Sequence, residues 1–436
     1  MKKRFYTLLI ALLPLSSVYA DDLMTIYRQA LYADPNLKTA QLQVGVGEAQ
    51  HWQAGGELLP QVSVSANLSL IDQRNVKTKA EDSFKGERYT LNLTQSLIDV
   101  PKVLNWIRSN KVVDQYKQAN VEAEQNLMLL TVERYFAVLA ARDNLGLIEN
   151  EVALSTRQLE QLTRQFEKQL VKITDVYEME AKLDLLVADQ VDAKTQLDVA
   201  RQEVSELTGT VFDSLVGLRD TVDFVALSGT LDQRILQARE LNAGLKAQEK
   251  AIEAADYAVS MEHSRHLPVV DLQFSYFRSN TGFNDTQSNE TDTKVGSINI
   301  NIPLFPGGTT LARADEASKN REISRQKKIA LLRGVIKETR EAFLSTNASV
   351  RRIEAASKAV KSAIKANDAM QKGFRYGVQT IGDVLVSQQR VFEARKGLLD
   401  VRYVYITHWI RFQKITGVIT MDSLATINQW LGKNVL

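Results

Sequence analysis

Phe166-Glu167-Lys168-Gln169-Leu170-Val171-Lys172-Ile173-Thr174-Asp175-Val176 returns 208 residues later as Phe374-Arg375-Tyr376-Gly377-Val378-Gln379-Thr380-Ile381-Gly382-Asp383-Val384. Phe, Ile, Asp and Val keep their places in both copies. The same offset carries Asp34-Pro35-Asn36-Leu37 to Asn242-Ala243-Gly244-Leu245, Leu59-Pro60 to Leu267-Pro268, and Leu207-Thr208-Gly209 to Ile415-Thr416-Gly417. The chain beyond residue 20 therefore reads as two copies of one unit, 21–228 and 229–436. A unit of this length is no short solenoid repeat. It points to two structurally equivalent parts of a symmetric object.

Each copy of the repeated stretch interrupts a very long run without breakers. Residues 102–170 hold no proline and one glycine, Gly146; residues 309–372 hold no proline and one glycine, Gly334. As helices these runs are on the order of 100 Å long, far beyond the usual helix of a globular domain. Leu145, Ile148, Val152, Leu159, Leu162 and Phe166 keep 3/4 spacing, with Ser155 as the polar break. Val176, Met179, Leu183, Leu186, Ala193, Leu197, Ala200, Val204 and Leu207 continue it, broken by Gln190. Ile353, Ala356, Val360, Ala363, Met370 and Phe374 repeat the seam, broken by Asn367. These are coiled-coil seams. The spacing predicts helices over 102–170 and 174–208 joined by a tip at 167–175, and helices over 309–372 and 381–416 joined by a tip at 375–383. Taken alone, the helices also fit a coiled-coil structural or adhesion protein of the periplasm or cell surface, with no channel.

The strands separate those readings. Val62, Val64, Ala66, Leu68 and Leu70 alternate with Gln61, Ser63, Ser65, Asn67 and Ser69; Tyr89, Leu91 and Leu93 share a face. In the second copy Val270, Leu272, Phe274 and Tyr276 share one, as do Ile298, Ile300 and Ile302 against Ser297, Asn299 and Asn301. Strands are expected over about 61–74, 88–99, 269–280 and 295–304, with polar connections at 75–87 and 281–294. One face is apolar and the other small and polar, the pattern of a membrane barrel with a wet lumen. Four strands cannot close a barrel, so other chains must pair the free edges. Three copies supply twelve strands and twelve helical rods.

Residues 1–20 have the form of a secretory signal: Lys2, Lys3 and Arg4, an apolar Leu8–Leu13, and Ser17-Val18-Tyr19-Ala20 before Asp21. The apolar run is too short to span a bilayer. With no cysteine, the exported chain is expected to carry neither a disulfide nor an N-terminal lipid. Without residues 1–20 it holds 51 basic and 52 acidic residues, a balance that argues against nucleic-acid binding. No mature segment is apolar enough for a membrane helix, so a membrane crossing must be a closed barrel. No Walker loop or nucleophile elbow is present, so neither an enzyme nor a cofactor is expected. His263 and His266 lie three apart but lack further ligands. Trp52, Trp106 and Tyr276 suit either an interfacial belt or plain packing.

Leader, duplication, strand pairs and long helices together resemble the TolC family of outer-membrane efflux and type I secretion channels. The most specific pieces are Leu58-Leu59-Pro60-Gln61, Ile173-Thr174-Asp175-Val176, His266-Leu267-Pro268, and Tyr376-Gly377-Val378 with Ile381-Gly382-Asp383-Val384. The resemblance implies a mainly α chain with membrane β: a trimer with a twelve-stranded outer-membrane barrel, a long periplasmic α-helical barrel, and a mixed equatorial collar from about 210–235 and 418–436. It implies an exit duct that works with a periplasmic adaptor and an inner-membrane transporter. It places the hairpin tips at a gate, where Asp383 becomes a ring of three carboxylates. From the residues alone, Thr174, Asp175 and Asp383 equally suit the first turn of a helix. By resemblance, Asp175 matches a carboxylate that the family ties to a Tyr and an Arg; those positions here are Phe374 and Gln379, and a second family Asp is Val386. Lys168, Lys172 and Arg375 are candidate substitutes for the lost latch. Glycines of both tips dock the adaptor in the family; Gly377 matches, and Gln169 stands at the other position.

Overall fold

The computed structural model describes residues 21–74, 76–212, 214–282 and 285–432. The expected leader, residues 1–20, lies outside them. The described elements repeat as the sequence does. The first copy runs α1 (Leu23–Ala33), α2 (Pro35–Gly56), β1 (Gln61–Arg74), β2 (Glu81–Ile98), α3 (Val100–Glu167) and α4 (Ile173–Thr208). The second runs α5 (Leu231–Leu241), α6 (Ala243–Ser264), β3 (Val269–Thr281), β4 (Gln287–Asn301), α7 (Thr309–Arg375) and α8 (Ile381–Ile415), followed by α9 (Met421–Gln429). Contacts divide the chain into two units: residues up to Pro35, Gln125–Arg234 and Thr339 onward form one, and Asn36–Glu124 with Ile235–Glu338 the other.

The strand-bearing unit holds one antiparallel sheet in the order β1-β2-β3-β4. Its register brings Val64 to Leu91, Leu91 to Tyr276, and Leu272 to Ile298. The alternating residues of all four strands therefore gather on one apolar face, and β1 and β4 remain as edges. Two strands begin earlier than their side-chain pattern predicts. β2 starts at Glu81 rather than 88 and β4 at Gln287 rather than 295, leaving connections at 75–80 and 282–286. The reason is that ladder pairing satisfies backbone N–H and C=O groups whatever the side chains are. Alternation marks only the part of a strand with one apolar face. β4 also stops at Asn301, two residues before Pro303, which cannot donate to a ladder. Trp106 on α3 stacks on His51 of α2 at 5.5 Å, which is packing within the unit, whereas Trp52 is exposed. Among the described residues no helix is long and apolar enough to cross a membrane, and none of their His, Cys, Asp and Glu side chains form a cluster able to hold a metal.

In the other unit, the segment between repeats is stitched to the residues before α1 and after α9. Asp21 pairs with Leu215 and Leu218 with Leu431. Buried Tyr135 donates its hydroxyl to the Val216 carbonyl at 2.8 Å and the Asp21 carbonyl at 3.2 Å. Tyr405 donates to the Val225 carbonyl at 2.7 Å. Trp430 then packs against Phe224, Tyr405 and Trp409. An irregular segment needs such donors because its carbonyls lack ladder partners. The same unit ends in the two hairpin tips.

A candidate gate at the hairpin tips

α3 and α7 stop in the same way. Leu170 N–H donates to the Gln165 carbonyl at 2.9 Å and Gln169 N–H to Phe166 at 2.7 Å; Val378 N–H donates to Gly373 at 2.9 Å and Gly377 N–H to Phe374 at 3.0 Å. These paired bonds satisfy the orphan carbonyls of a helix end and require a left-handed residue after the cap. Gly377 supplies it with φ +73°; Gln169 supplies it with φ +61°. The two candidate docking residues are thus structural equivalents, but Gln169 carries the steric cost of a Cβ in that conformation. Exchanging Gln169→Gly should stabilise the first tip by roughly 0.5–1 kcal/mol, since the relief exceeds glycine's extra chain entropy. Slower hydrogen exchange at Leu170 would show it; faster exchange would contradict it.

The turns are five residues long, 168–172 and 376–380, tighter than the predicted 167–175 and 375–383 because helical geometry continues through Glu167 and Arg375 and resumes at Ile173 and Ile381. Each following helix begins with an aspartate in its third position. Asp383 accepts from the Thr380 N–H at 3.0 Å and the Thr380 hydroxyl at 2.7 Å, while its own N–H donates to that hydroxyl at 3.2 Å. This is a complete capping box. The Thr380 N–H, and next its hydroxyl, hold the Asp383 carboxyl below the ordinary carboxylate range. Asp175 has only half of this arrangement. It accepts from the Lys172 N–H at 3.2 Å, but an ammonium has no lone pair to return the bond. Thr174 is exposed in the first turn of α4. The cap and the charge coexist: an exposed, ionised Asp383 is already fixed in place.

Behind the turns the two hairpins share one apolar cluster. Leu162 of α3, Val176 and Met179 of α4, and Ile381 and Val384 of α8 form it, with Phe374 and Met370 of α7 packed against it. Phe374, at the position where the resemblance implies a tyrosine, is therefore a packing residue. Gln379 bonds back to the Gly373 carbonyl through its N–H at 3.3 Å, and its side chain lies so close that a Cβ at Gly373 would meet its Cγ at 2.7 Å. No hydrogen bond joins it to Asp175. Lys168, Lys172 and Arg375 are exposed, and within one protomer none of the described ion pairs joins them to Asp175 or Asp383. Arg375 and Phe374 instead border a groove of about 340 Å³ walled by Gln158, Gln161, Gln165 and Gln371.

The polar tie between the hairpins lies deeper, in residues outside the predicted seams. Lys182 of α4 donates to Glu151 of α3 at 3.0 Å and to Gln388 of α8 at 3.1 Å. The Lys182 and Glu151 side chains are 13% and 16% exposed, and Gln388 is 4% exposed. The sequence signal was there: Ile381, Val384, Gln388 and Phe392 keep 3/4 spacing, with a glutamine where the seam asks for an apolar residue.

Residues 26–210 and 235–418 match the family described as outer membrane efflux protein, one match on each repeat. The chain belongs to that family. It is 30% identical over 426 residues to the outer membrane protein TolC of Vibrio cholerae, covering 95% of each chain. It is 26% identical to the alkaline protease secretion protein AprF of Pseudomonas aeruginosa, covering 94% of this chain and 87% of that one. Among solved structures, CusC superposes with a TM-score of 0.81 at 18% identity, over 92% and 93% of the two chains. The CmeC outer membrane channel of Campylobacter jejuni superposes at 0.80 and 16%, over 94% and 90%. The protein is accordingly an outer-membrane channel of the efflux and type I secretion class, with the TolC-like fold. Three chains, each giving a four-stranded sheet, close the barrel whose edges β1 and β4 leave open in one chain. The coiled-coil structural alternative is set aside by the family.

Proposed function

We propose that this channel is gated at its hairpin tips and passes cargo from an inner-membrane transporter, through a periplasmic adaptor, to the exterior. The reading is carried by the apolar cluster in which both hairpins of one chain meet directly behind the Asp175 and Asp383 turns. A joint of that kind moves as a unit, and three-fold repetition places three such joints around one opening. Each Asp383 is exposed, so three of them create a cation-attracting ring. Lys168, Lys172 and Arg375, exposed beside the turns, are assigned to contacts between protomers. The Gln169 and Gly377 turns are assigned to the adaptor. Export is assigned to cleavage after Ala20, with no lipid on the new terminus.

Trivalent cations added from the periplasmic side of a planar bilayer should block the trimer, and Asp383→Ala should weaken that block by at least roughly tenfold, as three carboxylates are lost at once. Capping lowers the Asp383 pKa from its ordinary 3.8, which opposes the rise caused by the neighbouring carboxylates. The block should therefore persist through mildly acidic pH and fail as pH falls through the carboxylate range. A block indifferent to Asp383→Ala removes the ring from the gate.

A further inference from the structure

The other face of the sheet carries a charge that export as such does not require. Along β2 the residues opposite the apolar face are Thr94, Asn92, Thr90, Arg88, Gly86 and Phe84. The register places them in rows with the small polar side chains of β1, β3 and β4. Among the described residues of those rows, Arg88 is the single charge between Asp271 at one end and Asp82 at the other. On the apolar face the sheet pairs its arginines: Arg74 lies 3.5 Å from Glu81, and Arg278 grips Asp292 through two bonds of 2.8 and 3.0 Å. Arg88 has no carboxylate. Among the described residues its guanidinium reaches only the Ser279 hydroxyl, at 3.4 Å.

The surroundings of this cation are partly apolar. Arg88 and Phe277 line the same hollow of about 330 Å³, floored by Thr90, Asn92 and Ser275. On the far side, Ile71 and Phe84 face each other across β1 and β2, both half-buried. The intervening residue on β2 is Gly86, and the Ser69, Ile71 and Thr281 side chains close in over it where a Cβ would stand. A guanidinium with no carboxylate partner, sharing a hollow with an aromatic ring, suits an anion with an apolar body.

Resting on the outer-membrane channel reading, we propose that Arg88 and Phe277 form a binding station in the barrel lumen for aromatic carboxylates. Three-fold symmetry makes a ring of three stations. The lumen is aqueous, but the field of each guanidinium still reaches about 8 Å at physiological salt. Such a ring slows organic anions relative to cations of the same shape and biases the barrel toward anions.

The test uses the detergent-purified trimer and naphthalene-2-carboxylate as probe, with naphthalene-2-methylammonium as the same ring bearing the opposite charge. In a planar bilayer, the carboxylate added from the barrel side should raise current noise and reduce conductance; the ammonium should not. Arg88→Gln should weaken that effect roughly fivefold or more, as a charge-assisted contact is lost, and shift the reversal potential in a salt gradient toward cations. Phe277→Ala should weaken the carboxylate effect with the reversal potential unchanged. Saturation-transfer NMR of the carboxylate on the same trimer reads binding independently of conduction. A trimer that never conducts would refute the channel reading while NMR still decides the station. Equal transfer to wild type and Arg88→Gln, or equal effects of carboxylate and ammonium, would overturn the proposal.

Discussion

Lys182→Met should open the resting channel. The ammonium satisfies Glu151 on α3 and Gln388 on α8 together, and both partners are nearly enclosed. Removing one member of a buried pair leaves the other charge without compensation, at a cost of about 3 kcal/mol. Here that cost falls on the joint between the two hairpins. The Gln388 amide nitrogen already lacks a partner, and without Lys182 its amide oxygen loses its bond as well. Resting conductance should rise several-fold, with trivalent block retained because Asp383 is untouched. The triple substitution Lys182→Met, Glu151→Leu, Gln388→Leu removes the stranded charge as well as the clamp. It should regain the lost stability, as apolar replacement of whole buried networks does. It should also return conductance toward the resting value, because an apolar seam again joins the hairpins. Unchanged conductance in Lys182→Met would show that this clamp does not hold the gate.

How far the sequence foretold this region depends on the kind of force involved. The hairpins were legible because packing writes a period: Leu162, Val176 and Met179 fall on the predicted seams, and they meet Ile381 and Val384, which the repeat rather than a seam marked, in one cluster. The Asp383 cap was legible because Thr and Asp three residues apart is a local pattern. The early starts of β2 and β4 were not, because backbone pairing leaves no side-chain signature. Nor was the clamp, since Glu151, Lys182 and Gln388 are brought together from three helices. A polar residue in a seam reports only that a partner exists somewhere. Gln169 is an intermediate case. Repeat symmetry with Gly377 located the turn, while its left-handed backbone ran against its residue type.

Met179→Ala bears on the same joint through packing alone. Met179 is fully buried and sits between Leu162 of α3 and the α8 pair Ile381 and Val384. Truncation removes three heavy atoms from the core that both hairpins share directly behind the tips. The loss of transfer free energy and the residual cavity together cost about 2–4 kcal/mol. The loss should be local, because the stitched segment around Tyr135 and Trp430 involves none of these side chains. Hydrogen exchange should accelerate in 159–185 and 370–392 and stay unchanged in 209–230. Conductance should become noisier, with brief openings, because a loosened joint samples both positions while the Lys182 clamp still favours one. Met179→Leu keeps volume and apolarity and should behave as wild type. If Met179→Ala sped exchange throughout the chain, the tips would be part of one cooperative unit with the rest, and a gate that moves by itself would be excluded. If it sped exchange only at the tips without changing conductance, the joint would be mobile and the barrier to ions would lie elsewhere in the duct.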